Sequence, residues 1–288
     1  MNEKYSIGID IGGSHISSAV VNLNDMNICK NTFVRKSVNS NETESEILSQ
    51  WVECINETNF HFGEKCSYIG ISMPGPFDYE LGISYMEELH KFGSLYKKNI
   101  KLFLANSLEI APNQIRFIND AKAFLKGELK TIFPLETFDS AIGLTLGTGL
   151  GSATYKDGII TDANYWCMDF KNGIAEDYIS TRWFVKKVQE MTGYKFNDLK
   201  EIISSERTSE ILETLFLEFT NNLTDLIIQI NKELNSEILI IGGNISKANS
   251  FFQEKLEHNL NSMGLHVKII ISNKGEIAPI IGSASLWD

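Results

Sequence analysis

The strongest constraint on this fold is a repeated pattern of strand, glycine turn and strand. The pattern first occurs over residues 6–23, SIGIDIGGSHISSAVVNL, and returns over residues 140–155, SAIGLTLGTGLGSATY. In each copy an apolar strand runs into a glycine-rich turn, and a second strand runs out. Glycine lets a backbone turn tightly and brings its N–H groups close to a ligand. The repeat therefore predicts two related domain cores that face one bound polyphosphate.

The composition excludes several other classes of protein. The net charge of -11 over 288 residues argues against nucleic acid as a principal partner, because neutralising phosphates needs a basic face. The four cysteines lack CxxC spacing, which favours reduced thiols over disulfides or a zinc site. Apolar runs fall short of the ~18 to 20 residues of a membrane span, and the N-terminus does not resemble a signal peptide. We expect a cytoplasmic protein that does not bind membranes.

Strands alternate with helices along the chain, which predicts an α/β fold. The predicted strands cover residues 5–10, 14–23, 28–35, 68–73, 114–118, 140–155 (a hairpin), 237–241 and 267–271. The predicted helices cover residues 41–57, 97–110, 121–129, 176–192, 209–234, 248–261 and 277–286. We place the domain boundaries in hinge-like connections, so that residues 1–118 plus 277–288 form a smaller lobe and residues 119–276 a larger one.

The first glycine turn follows a carboxylate. Gly12, Gly13 and Ser14 follow Asp10, the last residue of the predicted strand, after one intervening residue. The glycines could cradle phosphate oxygens, and Asp10 could hold the water shell of a Mg²⁺ ion on those phosphates, since Mg²⁺ prefers few carboxylates and several waters. A tight hairpin turn without a ligand explains Gly-Gly equally well.

Two further glycine segments lie in the second half. One comprises Gly147, Thr148, Gly149, Leu150 and Gly151. It is neither a Walker loop nor a dinucleotide fingerprint, because no Gly-Lys-Ser/Thr follows and a strand, not a helix, comes next. The other, Gly242-Gly243, follows a buried strand and could admit a flat adenine against bare backbone. The alternative for this second segment is a plain exit from a strand.

Asn119 and Asp120 stand where a predicted strand ends and a helix begins. A carboxylate there can accept the proton of a substrate hydroxyl while its oxygen attacks a γ-phosphate. An amide such as Asn119 offers both a donor and an acceptor to neighbouring hydroxyls. The alternative is a helix N-cap, which both residue types fill well.

Taken in order, five segments resemble the ROK family of bacterial sugar kinases, glucokinases and sugar-responsive repressors. They are DIGGS at 10–14, GISMPGP at 70–76, INDAKA at 118–123 with GE at 127–128, GTGLG at 147–151, and IIGGNIS at 240–246. The resemblance spans nearly the whole chain.

The resemblance implies an actin-like ATPase fold, a duplicated ribonuclease H-like architecture with two lobes around a nucleotide and sugar cleft. It implies ATP with Mg²⁺ as the phosphate donor, bound by the glycine segments, and a homodimer. Asp120 would be the general base for the sugar hydroxyl, and Gly75 and Asn119 would lie in the sugar site. The terminal helix would return to the first lobe.

The chain departs from the family pattern in the second half. Where many relatives carry Gly-Glu-x-Gly-His, this chain has MDFKN, so Asp169 and Asn172 replace Glu and His. Glu176 matches the start of a Glu-x-Tyr-x-Ser segment, and we expect all three side chains in the sugar site. The family's zinc-binding cysteine cluster is absent, so we expect no zinc. His15 stands where relatives often have Lys.

We therefore expect ATP-dependent phosphorylation of a hexose or amino sugar, as in a glucokinase or hexokinase. The alternative is a catalytically degenerate, sugar-binding regulatory protein of the same family, because the two replacements at Asp169 and Asn172 alter the sugar contacts. A chaperone-like or filament ATPase on the same fold is a third hypothesis, and the match at Glu176 weighs against it.

Overall fold

The structure is a computed structural model that describes residues 4–87, 91–132 and 138–288. The chain divides into two compact units. The first comprises Met1–Glu136 and Glu276–Asp288, and the second comprises Thr137–Gly275.

The strands are given in chain order: β1 Tyr5–Ile11, β2 His15–Asn22, β3 Asn27–Ile28, β4 Val34–Ser37, β5 Ile69–Met73, β6 Phe77–Asp78, β7 Ile83–Ser84, β8 Ile115–Asn119, β9 Ser140–Leu146, β10 Leu150–Lys156, β11 Ile159–Asp162, β12 Asp169–Phe170, β13 Gly173–Ile174, β14 Ile238–Gly242 and β15 Lys268–Ile271. The α-helices follow: α1 Glu44–Phe62, α2 Ile100–Leu108, α3 Asp120–Ile132, α4 Thr181–Thr192, α5 Leu199–Ser204, α6 Leu212–Leu234, α7 Gln253–Ser262 and α8 Ile277–Ala284.

The first unit is built on a sheet with the order β3-β2-β1-β5-β8, in which β4 also pairs with β2. The hairpin β1–β2 is antiparallel, whereas β5 and β8 run parallel to β1. Helix α1 begins with a capping box between Thr43 and Glu46 and ends at Gly63, whose φ of 87° suits glycine. Its buried face, including Trp51, joins the hydrophobic core of this unit.

The C-terminal helix α8 belongs to the first unit and contacts it through glycines. A Cβ on Gly8 would overlap the carbonyl oxygen of Ile280, and one on Gly127 of α3 would overlap that of Ala278. Helix α3 therefore packs backbone to backbone on α8, a closeness that only glycine permits. The first compact unit consequently extends through Glu136, past the boundary that we predicted after residue 118.

The second unit repeats the strand order of the first. Its sheet runs β11-β10-β9-β14-β15, with an antiparallel hairpin β9–β10 followed by β14 and β15 in parallel. Aromatic side chains of α4 and α6 fill the core, where Phe184 and Phe219 lie 4.8 Å apart between ring centroids. The two units thus share one strand order, as the repeat in the sequence predicted.

Several predicted elements need correction. The strand expected over residues 28–35 is two short strands, β3 and β4, because the Thr32 side chain bonds to the backbone of Val20 and Cys29 between them. No strand was predicted between the hairpin that ends at residue 155 and the helix predicted from residue 176, but the structure has β11 and the hairpin β12–β13 there. Helices α4, α6 and α7 begin later than predicted, and 3-10 turns at Ala175–Asp177 and Ile245–Phe251 precede α4 and α7.

Candidate active site

The carboxyl ends of three parallel strands bring the first group of candidate residues together. Asp10 of β1 lies opposite Ser72 of β5, and Met73 of β5 lies opposite Asn119 of β8. In open α/β sheets, ligands bind beyond the carboxyl ends of the strands. Asp120, the first residue of α3, follows at the same edge.

Asp10 is a buried carboxyl group whose environment disfavours its ionised form. Burial raises the pKa of Asp10 from 3.8 to about 7, and the negative charge of Asp120 adds to this rise. The hydroxyl of Ser72 donates a 2.8 Å hydrogen bond to Oδ1 of Asp10, and this bond lowers the pKa of Asp10 against the effect of burial. A buried carboxylate with a second carboxylate near it is a favourable site for a cation.

Asn119 is the N-cap of α3. Its Oδ1 accepts a hydrogen bond from the backbone N–H of Lys122 at 3.1 Å, and the residue is only 8% exposed. The amide oxygen of Asn119 therefore caps the helix, as the alternative interpretation of the sequence predicted. The other end, Nδ2, donates to the hydroxyl of Tyr79 over 3.4 Å. Asp120 is exposed, and its Oδ1 accepts from the backbone N–H of Ala121.

Tyr79 was missed by the sequence analysis. Its hydroxyl donates to the carbonyl oxygen of Met73 at 3.1 Å and accepts from Asn119. A Cβ on Gly75 would lie 3.3 Å from this hydroxyl, so the structure brings Gly75, Tyr79 and Asn119 together. No motif marks Tyr79, because its contact with Asn119 joins residues far apart in the chain.

The first glycine turn closes the β1–β2 hairpin. The N–H of Gly12 donates to the carbonyl oxygen of His15 at 2.9 Å. The imidazole of His15 lies 3.3 Å from the position of a Cβ on Gly12, and the Lys91 side chain lies equally close to one on Gly13. The hydroxyl of Ser14 contacts Nδ1 of His15 at 3.2 Å. Lys91 thus lies beside the turn, although the sequence analysis did not single it out.

Glu276 anchors His15 on its other side. Nε2 of His15 lies 3.1 Å from Oε1 of Glu276, and the Arg35 guanidinium also contacts Oε1. The Ser17 hydroxyl donates to the other oxygen, Oε2. The hydrogen bond from His15, joined by that from Ser17, lowers the pKa of Glu276 from 4.5 to about 2 against the opposing effect of burial. This carboxylate holds the residue that covers the first glycine turn.

The second glycine turn is fastened within the second unit. The N–H of Gly147 donates to Gly149 at 3.0 Å, and the carbonyl oxygen of Gly147 accepts from the N–H of Thr181 at 2.8 Å. Thr148 is exposed at the tip of the turn. Gly151 follows on β10, where it pairs with Thr145 of β9.

The Gly242-Gly243 segment lies beside this turn. Strands β9 and β14 are parallel, and Gly242 pairs with Thr145 close to the end of β9. Gly243 has a φ of 86°, and its Cβ would lie 2.7 Å from the carbonyl carbon of Leu146. The structure therefore brings together the two glycine segments that we assigned to nucleotide, and it requires glycine at position 243 for the fold itself.

The three sugar-site candidates of the second unit lie on neighbouring segments. Asp169 and Asn172 are exposed in the β12–β13 hairpin, and the N–H of Asn172 donates to the hydroxyl of Tyr178 at 3.3 Å. The carboxylate of Glu176 points to the second glycine turn, where its Oε2 accepts from the N–H of Leu150 at 2.8 Å. Its Oε1 forms an ion pair with Arg182, a residue that the sequence analysis missed.

Among the residues that the structure describes, there is no group of three or more His, Cys, Asp or Glu side chains able to hold a metal ion. The expectation of no zinc stays a prediction. A search of the same residues finds no helix that is long and apolar enough to span a membrane.

The chain belongs to the ROK family, whose model matches residues 6–288. Among characterised proteins, it is 26% identical to a glucokinase from Thermotoga maritima over 316 aligned positions, which cover 97% of this chain and 96% of that protein. The family predicted from the five segments is thereby confirmed.

Solved structures support the same conclusion for the fold. A glucokinase from Parabacteroides distasonis superposes with a TM-score of 0.77 at 18% identity, covering 99% of this chain and 97% of that one. A ROK family glucokinase from Streptomyces griseus, solved in complex with glucose and AMPPNP, superposes with a TM-score of 0.76 at 17% identity, covering 98% and 99%. The protein has the actin-like ATPase fold of these ROK sugar kinases, which confirms the predicted fold class.

Proposed function

We propose that the protein is an ATP-dependent kinase that phosphorylates a hydroxyl of a hexose or an amino sugar. One observation carries this proposal: an exposed carboxylate, Asp120, begins α3 beside the buried carboxylate of Asp10, at the ends of parallel strands. The similarity to glucokinases supports the same class of reaction.

Asp120 acts on the sugar hydroxyl. Its carboxylate orients that hydroxyl and accepts its proton while the hydroxyl oxygen attacks the γ-phosphorus of ATP. The new bond joins the sugar oxygen to phosphorus, and the bond from the γ-phosphorus to the β–γ bridging oxygen breaks, so that ADP leaves. Because the transition state is loose, much of the catalysis comes from positioning the acceptor.

Asn119 binds the sugar as a hydrogen-bond donor. Its Oδ1 is engaged by the cap of α3, and one N–H of its amide is directed to Tyr79. The amide nitrogen carries two hydrogens, so one remains to donate to a sugar oxygen. We assign further sugar contacts to the Gly75 backbone and to the side chains of Asp169, Asn172 and Glu176.

Asp10 fits a role at a hydrated Mg²⁺ ion. Mg²⁺ prefers hard oxygen ligands and retains most of its water. Asp10 supplies such an oxygen at a position where burial and a neighbouring carboxylate disfavour an uncompensated negative charge. When bound, the ion would neutralise charge on the β- and γ-phosphates.

The glycine segments fit a nucleotide. Among the residues that the structure describes, none apart from the chain neighbours of Gly147 has an atom within 4 Å of a Cβ placed on Gly147, and its backbone lies outside the left-handed region. The fold alone therefore does not require glycine at position 147, whereas a phosphate close to the backbone would. Phosphate contacts are assigned to the turns at Gly12, Gly13 and Ser14 and at Gly147–Gly151, and adenosine contacts to Gly242 and Gly243. From the family resemblance we expect a cytoplasmic homodimer.

The test is ADP release from Mg²⁺–ATP with a panel of hexoses and N-acetylated amino sugars. Asp120→Asn keeps the size of the side chain but removes the base, so the rate with the best sugar should fall by about 10² to 10⁴-fold. Asp157→Asn, in an exposed turn of the second unit, is the matched control and should retain the rate. Turnover near that of the wild type in Asp120→Asn would refute the base.

A regulatory protein that binds sugar without phosphorylating it is the second candidate. It is favoured by the shorter carboxylate of Asp169 and the neutral amide of Asn172, where many relatives carry Glu and His. This candidate predicts that a sugar raises the melting temperature of the protein while no sugar in the panel elicits ADP release.

A further inference from the structure

The carboxylate of Glu176 is built into the second glycine turn. Its Oε2 accepts from the N–H of Leu150 at 2.8 Å. A Cβ on Gly149 would overlap the same oxygen, so this carboxylate oxygen lies directly against the backbone of the turn at Gly149. The carboxylate therefore contacts the turn at both Gly149 and Leu150.

Arg182 holds the other oxygen of the same carboxylate. It stands on the first turn of α4 and forms an ion pair with Oε1 of Glu176. The Glu176 side chain is 20% exposed, whereas that of Arg182 is 62% exposed. Each carboxylate oxygen thus has its own partner: Oε2 accepts from the backbone N–H of Leu150, and Oε1 pairs with the exposed guanidinium of Arg182.

The short segment that carries these residues also fixes the other end of the turn. The N–H of Thr181 donates to the carbonyl oxygen of Gly147 at 2.8 Å. Ser180 caps α4 by accepting from the N–H of Trp183, which sets the direction of the helix start. Residues 176–182 therefore hold the turn at Gly147 through the backbone and at Leu150 through the Glu176–Arg182 pair.

We propose that Arg182 is a positioning residue for nucleotide binding. It holds Glu176 against the N–H of Leu150 and so keeps the second glycine turn in the conformation that receives the phosphates. This inference rests on the proposed function in so far as the turn binds nucleotide. A turn that is already in its bound conformation loses less conformational freedom on binding, which is the physical reason that positioning increases affinity.

The experiment measures the affinity for Mg²⁺–AMPPNP by calorimetry, without sugar, for the wild type and three variants. Arg182→Met keeps the length of the side chain and removes its charge, and binding should weaken about twofold to fivefold, as expected for an ion pair with an exposed arginine. Glu176→Gln should also weaken binding. The double variant should bind no more weakly than Glu176→Gln alone, because Arg182 acts through Glu176.

Two further variants sharpen the test. Arg182→Lys keeps the positive charge and should recover part of the affinity that Arg182→Met loses. Arg207→Met is the matched control in the same unit, because Arg207 is exposed and contacts the ring of Tyr194. This control should bind AMPPNP as the wild type does.

Two results would overturn the proposal. Unchanged affinity in Arg182→Met would mean that the ion pair has no effect on binding. A loss of the same size in the Glu176→Gln background would mean that Arg182 contacts the nucleotide directly.

Hydrogen exchange separates this proposal from the proposed function. The Leu150 amide should exchange faster in Arg182→Met than in the wild type or Arg207→Met, with or without nucleotide. If no sugar is phosphorylated or no nucleotide binds, the proposed kinase fails, and the exchange at Leu150 still decides whether Arg182 positions Glu176. Equal exchange at Leu150 in all three proteins would refute the positioning itself.

Discussion

Substitution by alanine should change the free energy of unfolding in opposite directions at two glycines of the second unit, Gly147 and Gly243. Gly147 stands in the second glycine turn, where no described residue other than its chain neighbours has an atom within 4 Å of its Cβ position, and its φ lies outside the left-handed region. Gly243 has a φ of 86°, and its Cβ position lies 2.7 Å from the backbone nitrogen and carbonyl carbon of Leu146. The fold therefore requires glycine at position 243 but not at position 147.

The expected free energies follow from this geometry. Gly147→Ala should raise the free energy of unfolding by about 0.4 to 1 kcal/mol, because alanine restricts the unfolded chain at a position that the folded chain tolerates. Gly243→Ala should lower it by about 2 kcal/mol or more, since the left-handed conformation costs roughly 1 to 2 kcal/mol and Leu146 must also move. Urea unfolding of both variants and the wild type measures these differences.

Nucleotide affinity provides the second half of this prediction. A methyl group at position 147 would occupy the open space that we assign to a phosphate, so Mg²⁺–AMPPNP should bind Gly147→Ala about tenfold more weakly or worse, which corresponds to ~1.4 kcal/mol. Calorimetry on the folded variant measures this loss. A Gly147→Ala protein that binds AMPPNP as tightly as the wild type would refute the phosphate assignment. A variant destabilised by more than about 1 kcal/mol would refute the reasoning about the open space.

Three further predictions concern the first unit. Tyr79→Phe removes the hydroxyl that receives the Asn119 amide, so the KM for the sugar should rise about threefold to tenfold with a smaller change in kcat, as initial rates will show. Gly127→Ala should lower the free energy of unfolding by about 1 to 3 kcal/mol, because its methyl group overlaps the carbonyl group of Ala278 on α8, and an unchanged urea midpoint would contradict this packing. The pKa of Glu276 is about 2 in the folded protein and 4.5 without its partners. The ionised carboxylate therefore contributes to the free energy of unfolding, by about 1 to 2 kcal/mol for a partly exposed group. This contribution is present above pH 4.5 and is lost as the pH falls toward 2. Glu276→Gln should therefore destabilise the protein at neutral pH and show a weaker loss of stability in acid, whereas parallel pH profiles would argue against it.

The architecture was predictable where the pattern is local. Each hairpin combines an apolar run, a glycine turn and a second apolar run, and both appear as β1–β2 and β9–β10. The domain boundary was less accessible, because the placement of α3 depends on the contact between Gly127 and the backbone of α8. That contact joins distant parts of the chain and leaves no periodic signal in the sequence.

The candidate site also combines residues that a local sequence pattern marks with residues that only the fold brings together. Asp10, Asn119 and Asp120 could be singled out from the sequence because each lies at the end of a predicted strand, and the structure brings the carboxyl ends of β1 and β8 to one edge of the sheet. Tyr79 could not be found in this way, since its turn carries no motif and only the fold brings it to Asn119. Ser72 had a weak signal that we did not use: it is a hydroxyl within an otherwise apolar, fully buried strand.

The two units share a strand order but differ in the chemistry at the ends of their strands. In the first unit, β1 and β8 end in or beside carboxylates, at Asp10 and Asp120. In the second unit, β9 and β14, which occupy the places of β1 and β5 in the strand order, end at bare backbone, at Gly147 and Gly243, and the Glu176–Arg182 ion pair lies beside the turn at Gly147. Carboxylates suit a metal ion and a proton acceptor, whereas exposed N–H groups suit phosphate oxygens. For the proposed kinase, the duplicated fold would therefore supply both needs of phosphoryl transfer, because this edge of the sheet carries acids beside a glycine turn in the first unit and glycines in the second.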